Sequence, residues 1–558
     1  MSNIVSKLTA TLPRWYGDTL RLVRDRGPGQ IQFWFIALAI GIVSGFAALF
    51  FRKGVEALQS TFYGTDDVTR LTSATLDLPW WQILAIPVIG GLVVGLILTH
   101  FTTDNRVRSV ADVIEGAALK DGRVEMREGI ASAAASLVTL GTGGSTGREG
   151  PVVHIAAVCA SWINDRISAS GITARDLLGC AVAAAVSASF NAPIAGALFA
   201  LEVILRHFAV HAFAPIVIAS AAGTVINRLE FGDVTEFALN REGVVAFYVE
   251  LPAFLIMGLL CGLIAVVLMK AIFWTDMLGN RLQDRLRMPR MLRPACAGAL
   301  LGGIAIWFPQ MIGVGYETTS DALTGQLLLH EAVTFAVLKV AAVAITMGGR
   351  MGGGIFSPSL MLGALTGLAF GIVATAIVPD RSGDEMLYAL AGMGALAAAV
   401  LGAPISTTLI VFELTGDWRT GLAVMVAVST STALASRLVD RSFFLTQLER
   451  RNIHLSKGPQ AYLLSMFRVA NVMRTDDHPR AATEDAIWEA IEAGVHIGPN
   501  ATLDKAFPIF ENTSRLFLPV ASIGESGEAP VIHGALFHVD ALRAYNRALA
   551  ATAAEEHS

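Results

Sequence analysis

Two short segments concentrate the residues that could do chemistry in this chain. Gly147-Arg148-Glu149-Gly150-Pro151 follows a glycine-rich run, GTGGSTG (141–147), and Gly353-Gly354-Ile355-Phe356-Ser357-Pro358 lies about 200 residues further on. In each, the glycines let the backbone turn, and the proline suits the first turn of a helix. A helix start presents unpaired N–H groups and partial positive charge, so it attracts anions. Two such ends meeting would hold a dehydrated halide through amides alone, and binding of that weak, multi-site kind is what conduction needs. Glu149 is itself an anion. Its carboxylate can take the same place as a free anion, and protonation would release it. An Arg148–Glu149 pair in an exposed loop is the plainer alternative, and the long apolar flanks on both sides argue against it.

Other chemistry finds no support. No nucleophile–base pair is evident, so an enzyme is not expected. Cys159, Cys180, Cys261 and Cys296 are scattered in apolar sequence without CxxC spacing, which suits neither a disulfide framework nor a zinc site. His207 and His211 stand four apart, a spacing that binds metal when a third ligand exists. No third ligand is evident, so they read as packed or interfacial histidines and no metal or cofactor is expected. A net charge of -5 and a pI near 6.1 give no basic footprint for nucleic acid.

The elements that must position the two segments are apolar. Of 558 residues 54% are hydrophobic and only 16% charged, too few charges for a protein solvated on all sides. Stretches without Asp, Glu, Lys or Arg run 27–51, 78–103, 129–147, 177–201, 207–227, 251–269, 294–316, 351–379, 387–412 and 420–436. A bilayer core asks for roughly 20 apolar residues of helix, so the expectation is an all-α polytopic membrane protein. Pro87, Pro193, Pro358 and Pro404 fall inside these stretches and are expected to break them. Broken backbone at membrane depth is tolerated where it is buried or lines a polar cavity, as in a transporter or channel.

The membrane region also repeats. NAPIAGALFALE (191–202) matches GAPISTTLIVFE (402–413) at an offset of 211 residues, each closing on a glutamate. Pro151 and Pro358 repeat at 207. Duplicated halves with Gly/Pro-broken helices point to a midplane site between the repeats.

GREGP and GGIFSP in this order, with FNAPIAGALFALE between them, resemble the CLC family of chloride channels and proton-coupled chloride antiporters over about residues 30–450. The resemblance implies a homodimer in which each subunit has its own pore, built from two inverted repeats of tilted, broken helices (about 31–230 and 246–440). It makes Glu149 the gating glutamate, with Gly147, Arg148, Gly150, Gly354, Ile355 and Phe356 at the anion and Pro151 and Pro358 starting the pore helices. Three departures touch this pathway. The family's Gly-Ser-Gly-Ile-Pro-Glu motif is best matched by VRSVAD (107–112). Pairing Val110, Ala111 and Asp112 with its last three residues is favoured on chemical similarity and puts Arg108 at the liganding serine. Sliding by one residue keeps Ser109 there instead. Second, Val203 follows Glu202 where the antiporters carry a second, proton-relaying carboxylate, which favours passive channel flux. Third, Phe444 in RSFFLTQLERR (441–451) stands for the inner-gate tyrosine and lacks its hydroxyl. Glu202 and Glu413 read as structural helix-end acids, and Lys339 and Arg350 as side chains reaching an interface.

The organisation expected is a basic cytoplasmic segment (1–30, with Lys7, Arg14, Arg21, Arg24 and Arg26), a membrane region (31–440), a linker (441–467), a small α/β cytoplasmic domain (468–550) and a tail (551–558). The positive-inside rule puts both ends in the cytoplasm of a cell-membrane protein. Residues 468–550 resemble a degenerate CBS module, which would set Asp540 beside a nucleotide ribose. A structural or dimer-stabilising role for that domain fits equally well. Chloride or a similar anion, the lipid bilayer and a second copy of the chain are the expected partners, and protons join them if the chain is an antiporter. A non-conducting membrane sensor working through its tail is the third reading.

Overall fold

The computed structural model describes residues 30–65, 67–167, 169, 171–208, 210–232, 237, 250–379, 384–416, 418–453, 455, 464, 467–475, 477–513, 515–522 and 530–557. The basic lead, apart from Gln30, and most of 454–466 lie outside the described residues.

Apart from a short helix, Leu71–Leu76, in the first half, two runs of helices follow one another in the same order. The first is α1 (Gln30–Tyr63), α2 (Trp80–Phe101), α3 (Val110–Leu119), α4 (Met126–Gly141), α5 (Glu149–Arg166), α6 (Gly171–Phe190), α7 (Pro193–Phe199) and α8 (Val210–Phe231). The second is α9 (Leu251–Leu286), α10 (Leu292–Ala305), α11 (Tyr316–Leu323), α12 (Leu329–Gly348), α13 (Phe356–Ile377), α14 (Glu385–Leu401), α15 (Pro404–Thr415) and α16 (Trp418–Leu438), after which comes α17 (Phe443–Glu449). Long, short and broken members recur at matching places, the layout of two inverted repeats. Among the described residues seven helices are long and apolar enough to cross a bilayer. At 34 and 36 residues, α1 and α9 are longer than the roughly 20 residues a bilayer core needs, and each runs on past its apolar stretch into charged sequence.

The repeated Ala-Pro-Ile marks the same local event in both halves. Asn191 (φ 56°) and Gly402 (φ 69°) end α6 and α14 in the left-handed region, where asparagine and glycine are tolerated. Pro193 and Pro404 then open α7 and α15 at the first helical position, where the missing N–H costs nothing. Pro358 likewise lies in the first turn of α13. Pro87 does not break its helix. It sits inside a continuous α2, where the neighbouring α10 packs so closely that a Cβ on Gly298 would overlap the Pro87 carbonyl.

The two helices entering these breaks form the centre. Nearly every residue of α14 from Leu387 to Leu401 is buried, and so is the run Leu177–Phe190 of α6, as expected of helices apolar all round. Close backbone approach holds α13 to α14: a Cβ on Gly363 or Gly367 would run into the backbone of Gly392 or Tyr388, the small-residue packing that membrane helices rely on.

Residues 452–558 belong to a second compact unit. It contains α18 (Glu484–Glu492), α19 (Leu503–Thr513), an antiparallel pair β1 (Phe517–Ser522) and β2 (Val531–Phe537), and α20 (His538–His557). Its core gathers Val469, Ile497, Leu503, Phe510, Leu518, Val520 and Leu536.

Candidate functional site

The two motifs singled out in the sequence meet backbone to backbone. Gly147 and Gly354 exchange N–H···O=C hydrogen bonds, both 2.7 Å, and the Thr146 hydroxyl donates to the Gly354 carbonyl at 2.9 Å. A Cβ on Gly150 would lie 3.0 Å from the Gly354 Cα, so this approach needs glycine on both sides. From the junction two helices start, α5 at Glu149 and α13 at Phe356. Neither start is capped by the side chain of the residue before it, Arg148 or Ile355.

The Glu149 carboxylate lies on the start of α13, the helix of the other half. It accepts the Ser357 amide at 3.4 Å and a short hydrogen bond from the Ser357 hydroxyl. Glu149 is 2% exposed, and a carboxylate so buried needs donors of this kind. It therefore stands where a free anion would find amide donors.

Three cavities lie around this junction. One is lined by Arg148, Arg52, Tyr316 and Glu317. Arg148 donates to the Ser189 carbonyl at 3.2 Å and lies over the Tyr316 ring at 5.3 Å. The central one has Glu149, Gly150, Gly354, Ile355 and Phe356 on one side and Ser109, Phe443, Phe444 and Gln447 on the other. The third is lined by Arg106, Arg350, Arg450, Arg451 and Asp276, with Arg106 also paired with Asp104 and Arg451 with Asp112. Ser109, Met347, Gly353 and Gln447 line both the second and the third, so they form the neck between them.

The favoured register for VRSVAD is corrected here: Ser109, not Arg108, faces the central cavity. Arg108 donates to Glu128 through Nε at 2.8 Å and lies 3.3 and 3.4 Å from Asp104 and Asp112. Asp112 in turn accepts the Ser109 amide at 2.7 Å and pairs with Arg451 at 2.7 Å. A guanidinium this enclosed is held by carboxylates, and the network fixes the start of α3 with the Ser109 hydroxyl turned to the cavity. Phe444 lies on the cavity wall.

The two helix-end acids, Glu202 and Glu413, are tied to backbone. Glu202 accepts the Ile405 and Ser406 amides at 3.0 and 2.8 Å, and Glu413 accepts those of Ile194 and Ala195 at 3.0 and 2.8 Å. Val203 is buried in a π-helical turn, Ala200–Leu205. Lys339 does not reach an interface. It is 0% exposed and donates to the Gly313 carbonyl at 3.2 Å. Arg350 donates to Asn280 at 3.0 Å at the edge of the third cavity. In the second unit Asp540 accepts from Arg474 at 2.6 Å. Sequence reasoning missed Ser357 and Gln447. The first lies inside GGIFSP and the second one helical turn beyond Phe444, so position within a motif was the only available signal.

Duplicated halves whose helix starts converge on a narrow, mostly apolar cavity define a membrane transport protein. A family model described as voltage gated chloride channel matches residues 90–436. A ClcB-like relative from Ralstonia nicotianae is 31% identical over 433 residues, which are 76% of this chain and 99% of the relative. The chain belongs to the CLC family, and so to channels and transporters rather than enzymes. A solved slow cyanobacterial Cl-/H+ antiporter superposes with a TM-score of 0.66 at 20% identity, covering 75% of this chain and 97% of that one. A eukaryotic CLC transporter gives 0.66 at 17% identity, covering 94% and 98%. At these identities the likeness is one of fold.

Proposed function

We propose that the chain carries chloride or a similar small anion across the cell membrane, with Glu149 as a protonatable gate. The observation that carries this reading is the Glu149 carboxylate resting on the Ser357 amide at the start of α13. An anion bound by the amides of Ile355 and Phe356 competes with that carboxylate, and protonation or outward rotation of Glu149 opens the way. The arginine-lined third cavity would concentrate anions at one mouth.

Two modes remain distinct. Val203 in place of a proton-relaying acid and Phe444 in place of a hydroxyl-bearing gate support passive, channel-like flux. The fold shared with a Cl-/H+ antiporter supports proton-coupled exchange, which would reuse Glu149 for the proton. Recording chloride efflux and external pH together from proteoliposomes separates them. Uphill proton movement driven by a chloride gradient, lost in Glu149→Ala, identifies an exchanger. Chloride movement without protons identifies a channel, and no flux of any halide overturns the reading.

We infer further that both termini are cytoplasmic, from the arginines and lysine at 7–26 and the cluster Arg437, Arg441, Arg450 and Arg451. Family membership makes a homodimer the expected assembly, and cross-linking in native membranes tests it. For the CBS-like tail, the Arg474–Asp540 pair supports a structural role. A nucleotide that raises the melting temperature of the purified chain would favour ligand sensing instead.

A further inference from the structure

The neck between the second and third cavities is poor in donors. Met347 contributes a thioether and Gly353 no side chain, and the neighbouring wall of the central cavity is made by Val110, Phe443 and Phe444. An anion leaving the amides of α13 must cross this neck, and a bare apolar constriction would strip it of water without replacement. Gln447 changes that balance. It lies one turn after Phe444 on α17, lines both cavities, and is half-buried. The Ser109 hydroxyl donates to its Oε1 at 3.4 Å. Among the described residues no other hydrogen bond engages the Gln447 side chain. A carboxamide whose oxygen is held by a hydroxyl turns its two N–H donors the other way.

We propose that Gln447 is a specificity-determining residue of the anion pathway: its Nε2 donates to the anion at the neck, with Ser109 holding the amide oxygen aside. The proposal rests on the anion-transport reading above. It also gives the pathway a side-chain donor beside Phe444, whose ring has none.

The test uses the full chain reconstituted in liposomes, with chloride efflux measured against chloride concentration. The half-saturating concentration is read separately from the maximal rate. Gln447→Leu removes the donor and keeps the volume. Losing one hydrogen bond to a charged ligand should raise half-saturation about 10-fold or more. Adding Phe444→Tyr to that variant places a hydroxyl one turn away and should bring half-saturation back to within about 3-fold of the parent. If half-saturation in Gln447→Leu stays within about 2-fold of the parent, the proposal is overturned. A loss that Phe444→Tyr does not repair assigns the effect to packing and overturns it as well. Gln447→Met, also unbranched and without a donor, gives the same comparison should the leucine variant fail to fold. A parent chain that neither transports nor binds chloride, by efflux and by calorimetry, instead refutes the underlying transport reading.

Discussion

Glu202 and Glu413 each cap the helix that opens the other's segment. Glu202, following α7, accepts the first free amides of α15, and Glu413, in α15, accepts those of α7. The exchange is symmetric to within the distances themselves, 3.0 and 2.8 Å on both sides. It satisfies orphan N–H groups at two helix starts and sets a negative charge against each positive end. The duplicated sequence thus closes on itself through two carboxylates.

That arrangement makes Glu202 a structural acid, with a measurable consequence. Glu202→Ala and Glu413→Ala should each lower stability by about 1–2 kcal/mol, the usual worth of a cap, seen as a lower melting temperature in detergent. Flux per folded protein should be retained at low temperature in both. If Glu202→Gln instead abolishes proton movement and leaves melting unchanged, Glu202 is a proton relay and the capping account fails.

Glu149 should behave as a competitor for the anion rather than as a ligand. Its replacement by glutamine removes the charge and keeps the shape, so chloride flux should rise and lose its dependence on pH between 4 and 8. In the parent, flux should grow as pH falls, because protonation frees the carboxylate from the start of α13. Efflux measured over that range decides the matter, and a glutamine variant with undiminished pH dependence would place the gate elsewhere.

Ser357 holds the closed position, so removing its hydroxyl should open the gate. A hydrogen bond to a carboxylate contributes about 1.5–3 kcal/mol, which stabilises the deprotonated, seated Glu149. Losing it in Ser357→Ala makes proton binding easier, and the pH of half-maximal flux should move upward by about one unit, 1.36 kcal/mol per unit. An unchanged or downward-shifted profile would mean that the hydroxyl takes no part in seating Glu149.

Much of this architecture can be read from residue order, and the exceptions have physical causes. Helix starts at Pro193 and Pro404, and the one just before Pro358, follow from local backbone chemistry, which needs no knowledge of neighbours. Pro87 departs from that rule: it sits inside a continuous α2, closely packed against Gly298. Lys339 defeats the expectation of a side chain reaching water. Its acceptors are carbonyls of Gly313 and Val314, brought to it by the chain's turn before α11, and no sequence pattern announces a carbonyl. Ser357 and Gln447 are invisible for a related reason. Each acquires its role from a partner more than 200 residues away, Glu149 in one case and Ser109 in the other.

Arg108 and Ser109 supply the sharpest contrast, being adjacent and opposite in task. Arg108 is bound among Asp104, Asp112 and Glu128, whereas Ser109 faces the central cavity. Arg108→Ala leaves Glu128, at 5% exposure, without its guanidinium. Breaking a buried pair on one side costs about 3–5 kcal/mol, so that variant should express poorly and melt early. Removing both partners in Arg108→Ala/Glu128→Ala should recover part of the loss, since no uncompensated charge remains. Ser109→Ala should do the reverse, with melting little changed and half-saturating chloride raised several-fold. Melting curves and concentration-dependent efflux on the same preparations separate the two roles. Weakened chloride binding in a well-folded Arg108→Ala/Glu128→Ala chain would return the guanidinium to the pathway.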